Sequence, residues 1–421
     1  MFFSTPFSQH NKCDLFFQSS EHFTDLSASY FELKLKLVKD DGTQDGVDVV
    51  HRTTQKDSSG VFTKGADYGV GPVSNVAHSL FSSSQLIAND QIICSESYYS
   101  YRSFFQPLFT YSKAVKDGWL KYLTGFRDDS PGLQDDVKNS ALQWASDYQC
   151  RNSKVFKVLG HPNMDLFQSE RLIPNLVSLK MTFTKNPAEF YIMSFVDDQK
   201  YKIRILDATF HLKRVVLNPT THMTIERTLG QGTQIIYPVK SIVIKPFSIP
   251  QNNLNITIDT LFSSQMIPER LFLTFVESQS FTGKFTKSPF NLRHFKVSSV
   301  TISTLGRSQT QEYSWDALGE NSNPIPYKQF IQYLGGTYPC DESFGVDREA
   351  YENGVFCSCF DLSASESYKT GSVSFGRQGN ISLNVKFPSE LAQPIILLAV
   401  GIYDNEIYCD VNRTFSKPFV Y

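Results

Sequence analysis

The sequence predicts an all-β chain made of two copies of one antiparallel sandwich. Short segments recur in the same order along the chain, and in many segments apolar residues alternate with polar ones. Aromatic residues make up 14% of the 421 residues, with 35 Phe and 20 Tyr. Such residues favour the pleated, half-buried surface of strands. We therefore expect two similar β units and few helices.

Three pairs of segments repeat within the chain, at offsets of 216, 226 and 204 residues. Two copies of one fold whose loops have changed length give such colinear repeats with drifting offsets. The length agrees, because 421 residues exceed the size at which a single hydrophobic core keeps growing. The pairs are Asn75–His78 with Asn291–His294, Tyr101–Gln106 with Tyr327–Gln332, and Ser178–Phe183 with Ser382–Phe387.

The strand prediction rests on a period of two. Apolar residues alternate with charged or small polar ones between Phe31 and Leu37, between Leu179 and Phe183, and in the repeat Leu383–Phe387. The stretches Leu254–Ile258 and Ile203–Leu212 continue the pattern. Alternation of apolar and polar residues, which gives a strand one buried and one solvent-exposed face, is typical of antiparallel sheets packed as sandwiches.

Two helices are predicted. Apolar spacing of three and four residues indicates a helix over Tyr98–Leu108, which Pro107 is expected to kink or interrupt. Pro219 at its start and Gly230 past its end indicate a second short helix between the repeats. This places the boundaries as follows: N-terminal arm 1–12, first sandwich 13–217, linker with a short helix 218–236, and second sandwich 237–421.

Two insertions break the symmetry of the repeats. They span residues 125–152 and 335–354, and both are rich in Asp, Ser and Gly. Loops of this composition are expected to project from the surface.

Charge and cysteine usage exclude several classes of protein. The net charge is −2 without a long basic run, so direct sequence-specific binding of nucleic acid is not expected. No apolar stretch approaches the ~18 residues of a membrane span, and the N-terminus lacks the pattern of a signal peptide. The seven Cys are odd in number and scattered, and Cys357-Ser-Cys359 has the wrong spacing for a zinc or redox pair. We expect free thiols in a reducing compartment and folding inside a cell.

A search for catalytic motifs finds none. No His pair has metal-ligand spacing, and phosphate-binding, nucleophile-elbow and dinucleotide motifs are absent from the sequence. No catalytic, cofactor-binding or metal residue is therefore predicted, and the chain is not expected to be an enzyme. The repeated His78 and His294 are each expected to hydrogen-bond a neighbouring loop at the mouth of its sandwich. The repeated Tyr101 and Tyr327 are expected to pack where surfaces meet.

Five segments together resemble the major capsid (hexon) proteins of adintoviruses and of Polinton/Maverick elements. The resemblance runs from about Asp14 to Phe415 and is strongest in the second half. Pro107 and Cys357-Ser-Cys359 depart from the pattern of that family. The segments are Asp165–Gln168, Val239–Pro250, Lys287–Phe295, Phe360–Ser363 and Gln378–Leu383.

The resemblance implies a double jelly roll, two tandem eight-stranded sandwiches with short helices in loops and linker. It also implies a homotrimer that forms a pseudo-hexameric capsomer of an icosahedral DNA-virus shell. The implied partners are neighbouring capsomers, penton and minor capsid proteins, and the implied location is the virion. The insertions are then candidates for outward crowns or clasps between subunits. The arm, with Phe2, Phe3 and Phe7, is expected to dock on a neighbouring capsomer or a minor capsid protein.

Two alternatives to a structural capsid subunit remain. One is a jelly-roll binding module, either lectin-like or a capsid remnant domesticated by a host. The other is a jelly-roll enzyme, which the missing metal triad disfavours. A stoichiometric bound transition metal would favour the enzyme.

Overall fold

The computed structural model describes residues 2–4, 12–56, 62–64, 67–127, 131–196, 198–263, 266–315, 323–333, 345–363 and 377–417. The chain forms two tandem β-sandwiches of eight main strands each. The first contains β1 Phe2–Ser4, β2 Lys12–Phe17, β3 Phe23–Lys39, β4 Phe81–Ala88, β5 Gln91–Glu96, β6 Phe156–Gly160, β7 Leu179–Lys185 and β8 Tyr201–Val215. The second contains β9 Ile235–Ile249, β10 Asn255–Ile258, β11 Arg270–Glu277, β12 Ser299–Thr304, β13 Arg307–Glu312, β14 Ser358–Asp361, β15 Ile381–Lys386 and β16 Ile395–Cys409.

The two sandwiches have the same strand order. The sheets of the first are β1-β8-β3-β6 and β2-β7-β4-β5, and those of the second are β9-β16-β11-β14 and β10-β15-β12-β13. Each strand of the second sandwich thus pairs like the strand eight places before it, and the main pairings are antiparallel. This is the predicted double jelly roll. The sheets are open, not closed into barrels.

Among the described residues, ten shorter strands lie at the margins of these sheets or in loops. They are Val47–Asp48, Arg52–Lys56, Phe62–Lys64, Gly71–Pro72, Ile192–Met193, Met266–Ile267, Leu292–Arg293, Asn353–Gly354, Arg377–Gln378 and Phe415–Ser416.

All three repeated pairs of segments lie at equivalent places, which confirms the duplication. Ser178–Phe183 and Ser382–Phe387 fall on the seventh strand of each roll. Tyr101–Gln106 and Tyr327–Gln332 lie in the helix after the fifth strand. His78 and His294 lie in the connection between the third and fourth strands.

The helices are short and connect strands. They are α1 Val76–Ser79, α2 Tyr99–Thr110, α3 Lys113–Val115, α4 Lys121–Thr124, α5 Ser140–Trp144, α6 Ala188–Tyr191, α7 Pro219–Gly230, α8 Ser278–Thr282, α9 Ile325–Tyr333 and α10 Arg348–Glu352. Single turns of 3₁₀-helix cover Arg151–Ser153 and Asp165–Gln168, and π-helical turns cover Lys116–Leu120 and Ala145–Gln149. Both predicted helices, α2 and α7, are confirmed.

Pro107 does not interrupt α2, which continues to Thr110. A proline inside a helix removes the backbone N–H that would bond the carbonyl four residues earlier. Here that carbonyl belongs to Ser103, and it accepts a hydrogen bond of 2.9 Å from the side-chain amide of Asn75. The substitute donor satisfies the carbonyl, so the helix persists through the proline.

The burial pattern of β8 changes phase along the strand. Ile203 is buried near its start, but Ala208, Phe210 and Leu212 are buried further along, on positions of the opposite parity. A β-bulge shifts the register against β3 between Ile205 and Asp207. One extra residue at this bulge keeps both apolar sets on the core side.

The N-terminal residues contribute to the first roll. The backbone of Phe2–Ser4, within the predicted arm, pairs with β8 through Thr209–His211. Residues 1 and 5–11 lie outside the described residues. In the linker, α7 begins after Asn218, whose side chain accepts a hydrogen bond of 3.0 Å from the N–H of Thr220. The domain boundaries stay a prediction.

The first insertion lies against the second roll of the same chain. The N–H of Gly132 donates to the carbonyl of Asn353 at 2.6 Å. The Asp135 carboxylate accepts hydrogen bonds from the Ser288 N–H at 2.7 Å and the Asn291 amide at 2.8 Å. This insertion therefore clasps the two rolls of one chain together. Of the second insertion, only residues from 345 onward are described.

Candidate functional site: the interface between the two jelly rolls

Helix α2 supplies the aromatic part of the interface. Its Phe104 ring stacks on Phe290 of the second roll with centroids 4.3 Å apart. Tyr101 stacks on Phe281 at 5.7 Å, and Tyr101 is only 2% exposed. Stacked aromatic pairs stabilise beyond their area of burial by about 0.5–1.5 kcal/mol each. Tyr101 packs where two surfaces meet, as predicted, and the surfaces are those of the two rolls.

A buried ionic cluster lies beside these aromatic residues. The guanidinium of Arg102, 1% exposed, donates to the Asp165 carboxylate at 2.8 Å and pairs with Glu96. The other oxygen of Asp165 accepts hydrogen bonds from the Ser241 hydroxyl at 2.6 Å and the Lys417 ammonium at 3.0 Å. The cluster thus joins α2 and the 3₁₀ turn of the first roll to β9 and the C-terminal segment of the second.

Burial and charge act oppositely on the two carboxylates. Burial raises the pKa of Glu96 to about 7, against the opposing effect of Arg102. Burial also acts to raise the pKa of Asp165, but the charges of Arg102 and Lys417 hold it below its usual range. Two cations thus balance two carboxylates, which is the condition for keeping such groups buried.

The C-terminal segment is tied to the first roll at a second point. The guanidinium of Arg413 donates to the backbone carbonyl of Asn175 at 3.1 Å and to its side-chain oxygen at 2.9 Å. It also pairs with Glu226 of α7 at 2.6 Å. In addition, the Asn89 amide donates to the Arg413 carbonyl at 3.2 Å. The linker helix and both rolls therefore meet at one arginine.

The two repeated histidines have structural partners. His78 is 3% exposed and its Nδ1 lies 2.9 Å from the Tyr99 hydroxyl. The His294 ring stacks on Trp315 at 3.7 Å, and its Nδ1 accepts a hydrogen bond from the Lys296 N–H. Burial lowers the pKa of His78 to about 3 and that of His294 to about 4. His294 thus bonds its own loop and His78 bonds the first residue of α2, whereas a neighbouring loop was expected for each.

Tyr327 and the cysteines complete the set of residues singled out in the sequence. The Tyr327 hydroxyl donates to the carbonyl of Val346 at 3.0 Å. The six described cysteines are buried free thiols, as expected, with the Sγ atoms of Cys357 and Cys359 3.9 Å apart. Cys340 and His10 lie outside the described residues.

The contacts described above hold the two rolls of the chain together. A cleft of about 410 Å³ borders the ionic cluster, and its charged lining includes Glu96, Asp165 and Lys417, which are already engaged in ion pairs. Within the described ranges, no three His, Cys, Asp or Glu side chains come close enough to hold a metal ion. In the same part of the chain, no helix is both long and apolar enough to cross a bilayer.

The sequence did not reveal the ionic cluster. Arg102 lies in a repeated segment and Asp165 in a segment of family resemblance, but neither signal indicates burial or pairing. Glu96 and Lys417 carried no signal. Charged residues are rarely fully buried unless paired, and the partners here are separated by up to 252 residues along the chain. Only the fold brings them together.

Comparison with known proteins found a sequence relative and several solved structures of similar fold. No family model matches the chain. An uncharacterized protein of Caenorhabditis elegans, F54H12.2, is 25% identical over 352 residues, which cover 83% of this chain and 80% of that protein.

Three solved viral structures share the fold. A chain of the Sputnik virophage has a TM-score of 0.60 at 11% identity, over 100% of this chain and 88% of that one. The mavirus major capsid protein has a TM-score of 0.54 at 11% identity, over 100% and 90%. The Faustovirus major capsid protein has a TM-score of 0.54 at 7% identity, over 96% and 90%. The chain thus has the double jelly-roll fold found in viral major capsid proteins.

Proposed function

We propose that this chain is a major capsid protein of the Polinton and adintovirus type. Three copies associate into a pseudo-hexagonal capsomer, and capsomers tile an icosahedral shell around viral DNA. The protein acts as a structural subunit of the virion and not as an enzyme. Its partners are further copies of itself, neighbouring capsomers, and penton and minor capsid proteins. It is made in the host cytosol.

The observation that carries the proposal is the repeated strand order within one chain. Two equivalent rolls per chain let a trimer present six similar units, so that threefold symmetry fills a place of sixfold shape. The likeness to the mavirus and Faustovirus major capsid proteins covers nearly the whole chain. The buried contacts between the rolls support the same proposal, because a tile in a lattice needs two rolls of fixed relative orientation.

Electron microscopy of the expressed protein tests the proposal. We expect particles with hexagonal outlines, and closed shells when penton and minor capsid proteins from the same source are co-expressed. Uniform single-chain particles under all conditions would contradict it.

The Caenorhabditis elegans relative favours a second candidate, a capsid remnant kept by a host as a binding module. This candidate predicts that the protein binds a cellular ligand without forming shells. Nuclease treatment of the purified protein distinguishes the two candidates, because a capsid protects packaged DNA from nuclease and a binding module does not.

A further inference from the structure

The cleft of about 410 Å³ beside the ionic cluster lies between the edges of two sheets. One wall is β5, at the end of the sheet β2-β7-β4-β5, and the other is β9, at the end of the sheet β9-β16-β11-β14. Among the described residues, each of these two strands pairs with a neighbouring strand on one side only. The unpaired edge of a strand is a template for a further strand.

The backbone of β9 directs hydrogen-bonding groups into the cleft. In an antiparallel strand, every second residue points its N–H and C=O away from the partner strand. In β9 these are the even-numbered residues, because the carbonyl of Ile236 accepts from an arginine of the first roll, and Pro238 and Pro246 have no N–H to give to β16. The register with β16 has no shift along the strand. Ile242 and Ile244, which line the cleft, therefore point their N–H and C=O groups into it.

The side chains around the cleft combine apolar walls with a positive charge. Ile92 of β5 is 62% exposed, and Val243 of β9 is half-buried. The carboxylates of the ionic cluster also face the cleft, but the cations of the cluster pair with them. Lys245 lines the cleft and pairs with no carboxylate of the described residues. An occupant of complementary charge therefore carries a carboxylate among apolar residues.

Contacts between the rolls hold the two walls of the cleft in place. The Ser241 hydroxyl of β9 donates to the Asp165 carboxylate of the first roll at 2.6 Å. The ring of Tyr98, which follows β5, lies 6.1 Å from the ring of Phe281 of the second roll. A site that is formed before its ligand arrives binds without the entropic cost of ordering its walls.

We propose that this cleft binds an extended acidic peptide segment of a second protein, which adds a strand to the edge of β9. Backbone hydrogen bonds to Ile242 and Ile244 supply affinity, and an Asp or Glu that pairs with Lys245 supplies selectivity. The stretches 5–11 and 418–421 of this chain contain no Asp or Glu, so charge complementarity favours a second protein over them. The inference rests on the proposed function only for the role of the partner, a smaller capsid protein. The binding surface lies within one chain and needs no trimer.

Phage display of random eight-residue peptides on the purified protein supplies the probe. We expect enriched peptides in which apolar residues alternate with an Asp or Glu and which compete with one another for one site per chain. A bound peptide should slow amide hydrogen exchange in fragments that cover residues 240–246. Enrichment of no peptide, or protection confined to another part of the chain, would overturn the inference.

Two proline variants test the added strand. Ile244→Pro removes one N–H from the cleft and, as at Pro238 and Pro246, none from the pairing with β16. It should weaken binding of the best selected peptide on the order of 5-fold, which corresponds to the loss of one hydrogen bond. The control Ser248→Pro makes the same change on β9 outside the lining of the cleft and should leave the affinity unchanged. Equal affinities of both variants and the wild type would show that the peptide binds elsewhere.

A charge reversal tests the choice of ligand. Lys245→Glu should weaken binding of the acidic peptide on the order of 10-fold and should favour a matched peptide with Lys in place of its acidic residue. A variant that only disturbs the fold would weaken binding of both peptides. Unchanged preference for the acidic peptide would contradict the role of Lys245.

The inference and the proposed function can fail separately. If the protein forms shells and no peptide is selected, the cleft is not a peptide site and the capsid proposal stands. If peptides bind at β9 of a chain that never forms trimers or shells, the peptide site stands and the capsid proposal is wrong.

Discussion

Replacing Arg102 by methionine tests the account of the buried ionic cluster. The change removes the cation that pairs with both Glu96 and Asp165, and leaves Lys417 as the remaining cation of the cluster. Breaking a buried ion pair by removing one partner costs about 3–5 kcal/mol, because a buried charge loses its compensation. We therefore expect Arg102→Met to lower the free energy of unfolding by about this amount, measured by urea denaturation.

A double-mutant cycle shows whether the cost arises from the pair. In Arg102→Met/Asp165→Asn, the second substitution removes one of the carboxylates that the first left uncompensated. The double variant should lose less stability than the sum of the two single variants, by about 1–3 kcal/mol. The control Lys157→Met removes an exposed partner of Glu32 and should leave the unfolding midpoint at the wild-type value.

The pH dependence of Arg102→Met gives an independent check. Burial already raises the pKa of Glu96 to about 7, and the loss of Arg102 raises it further. A carboxyl whose pKa is higher in the folded state than in the unfolded state binds its proton more tightly when folded. The variant should therefore regain stability as the pH falls from 8 toward 5. A loss below about 1 kcal/mol at pH 8, or no recovery on acidification, would refute the reasoning.

Three further predictions concern the core and the thiols. Phe104→Ala removes a ring stacked at the interface and should cost about 3–5 kcal/mol in denaturation; a cost below about 1 kcal/mol would show that the ring is not packed. Burial lowers the pKa of His78 to about 3, so the free energy of unfolding decreases as the pH falls below about 6.5. A plot of the free energy of unfolding against pH should be flatter for His78→Gln than for the wild type between pH 6.5 and 4, and parallel plots would contradict this. In a Cys340→Ser background, the six remaining thiols are buried and should react with Ellman's reagent only after denaturation; a rapid reaction of the native protein would disprove their burial.

The duplication and the fold class could be predicted from the sequence because both leave local traces. Alternation at Phe31–Leu37 reports a strand with one buried face, and the structure shows that pattern in β3. The repeated segments coincide with equivalent strands, helices and connections. The change of phase in β8 could not be predicted, because it arises from the bulge after Ile205. No residue type in the sequence indicates the register shift that this bulge creates.

The remaining features depend on contacts between distant residues. Phe2–Ser4 is too short to show a period of two, so its pairing with β8 could not be recognised in the sequence. The continuity of α2 through Pro107 depends on the side chain of Asn75, which replaces the missing donor. Asp135 lies in an insertion that was expected to project from the surface, but its carboxylate accepts hydrogen bonds from Ser288 and Asn291 of the second roll.

The mass of the purified protein in solution tests the central claim most directly. The proposed capsomer predicts a stable particle of three times the 47.8 kDa of one chain. A well-behaved monomer across the full range of concentration, salt and pH would contradict the account, because two rolls of one chain could not then form the six-unit tile.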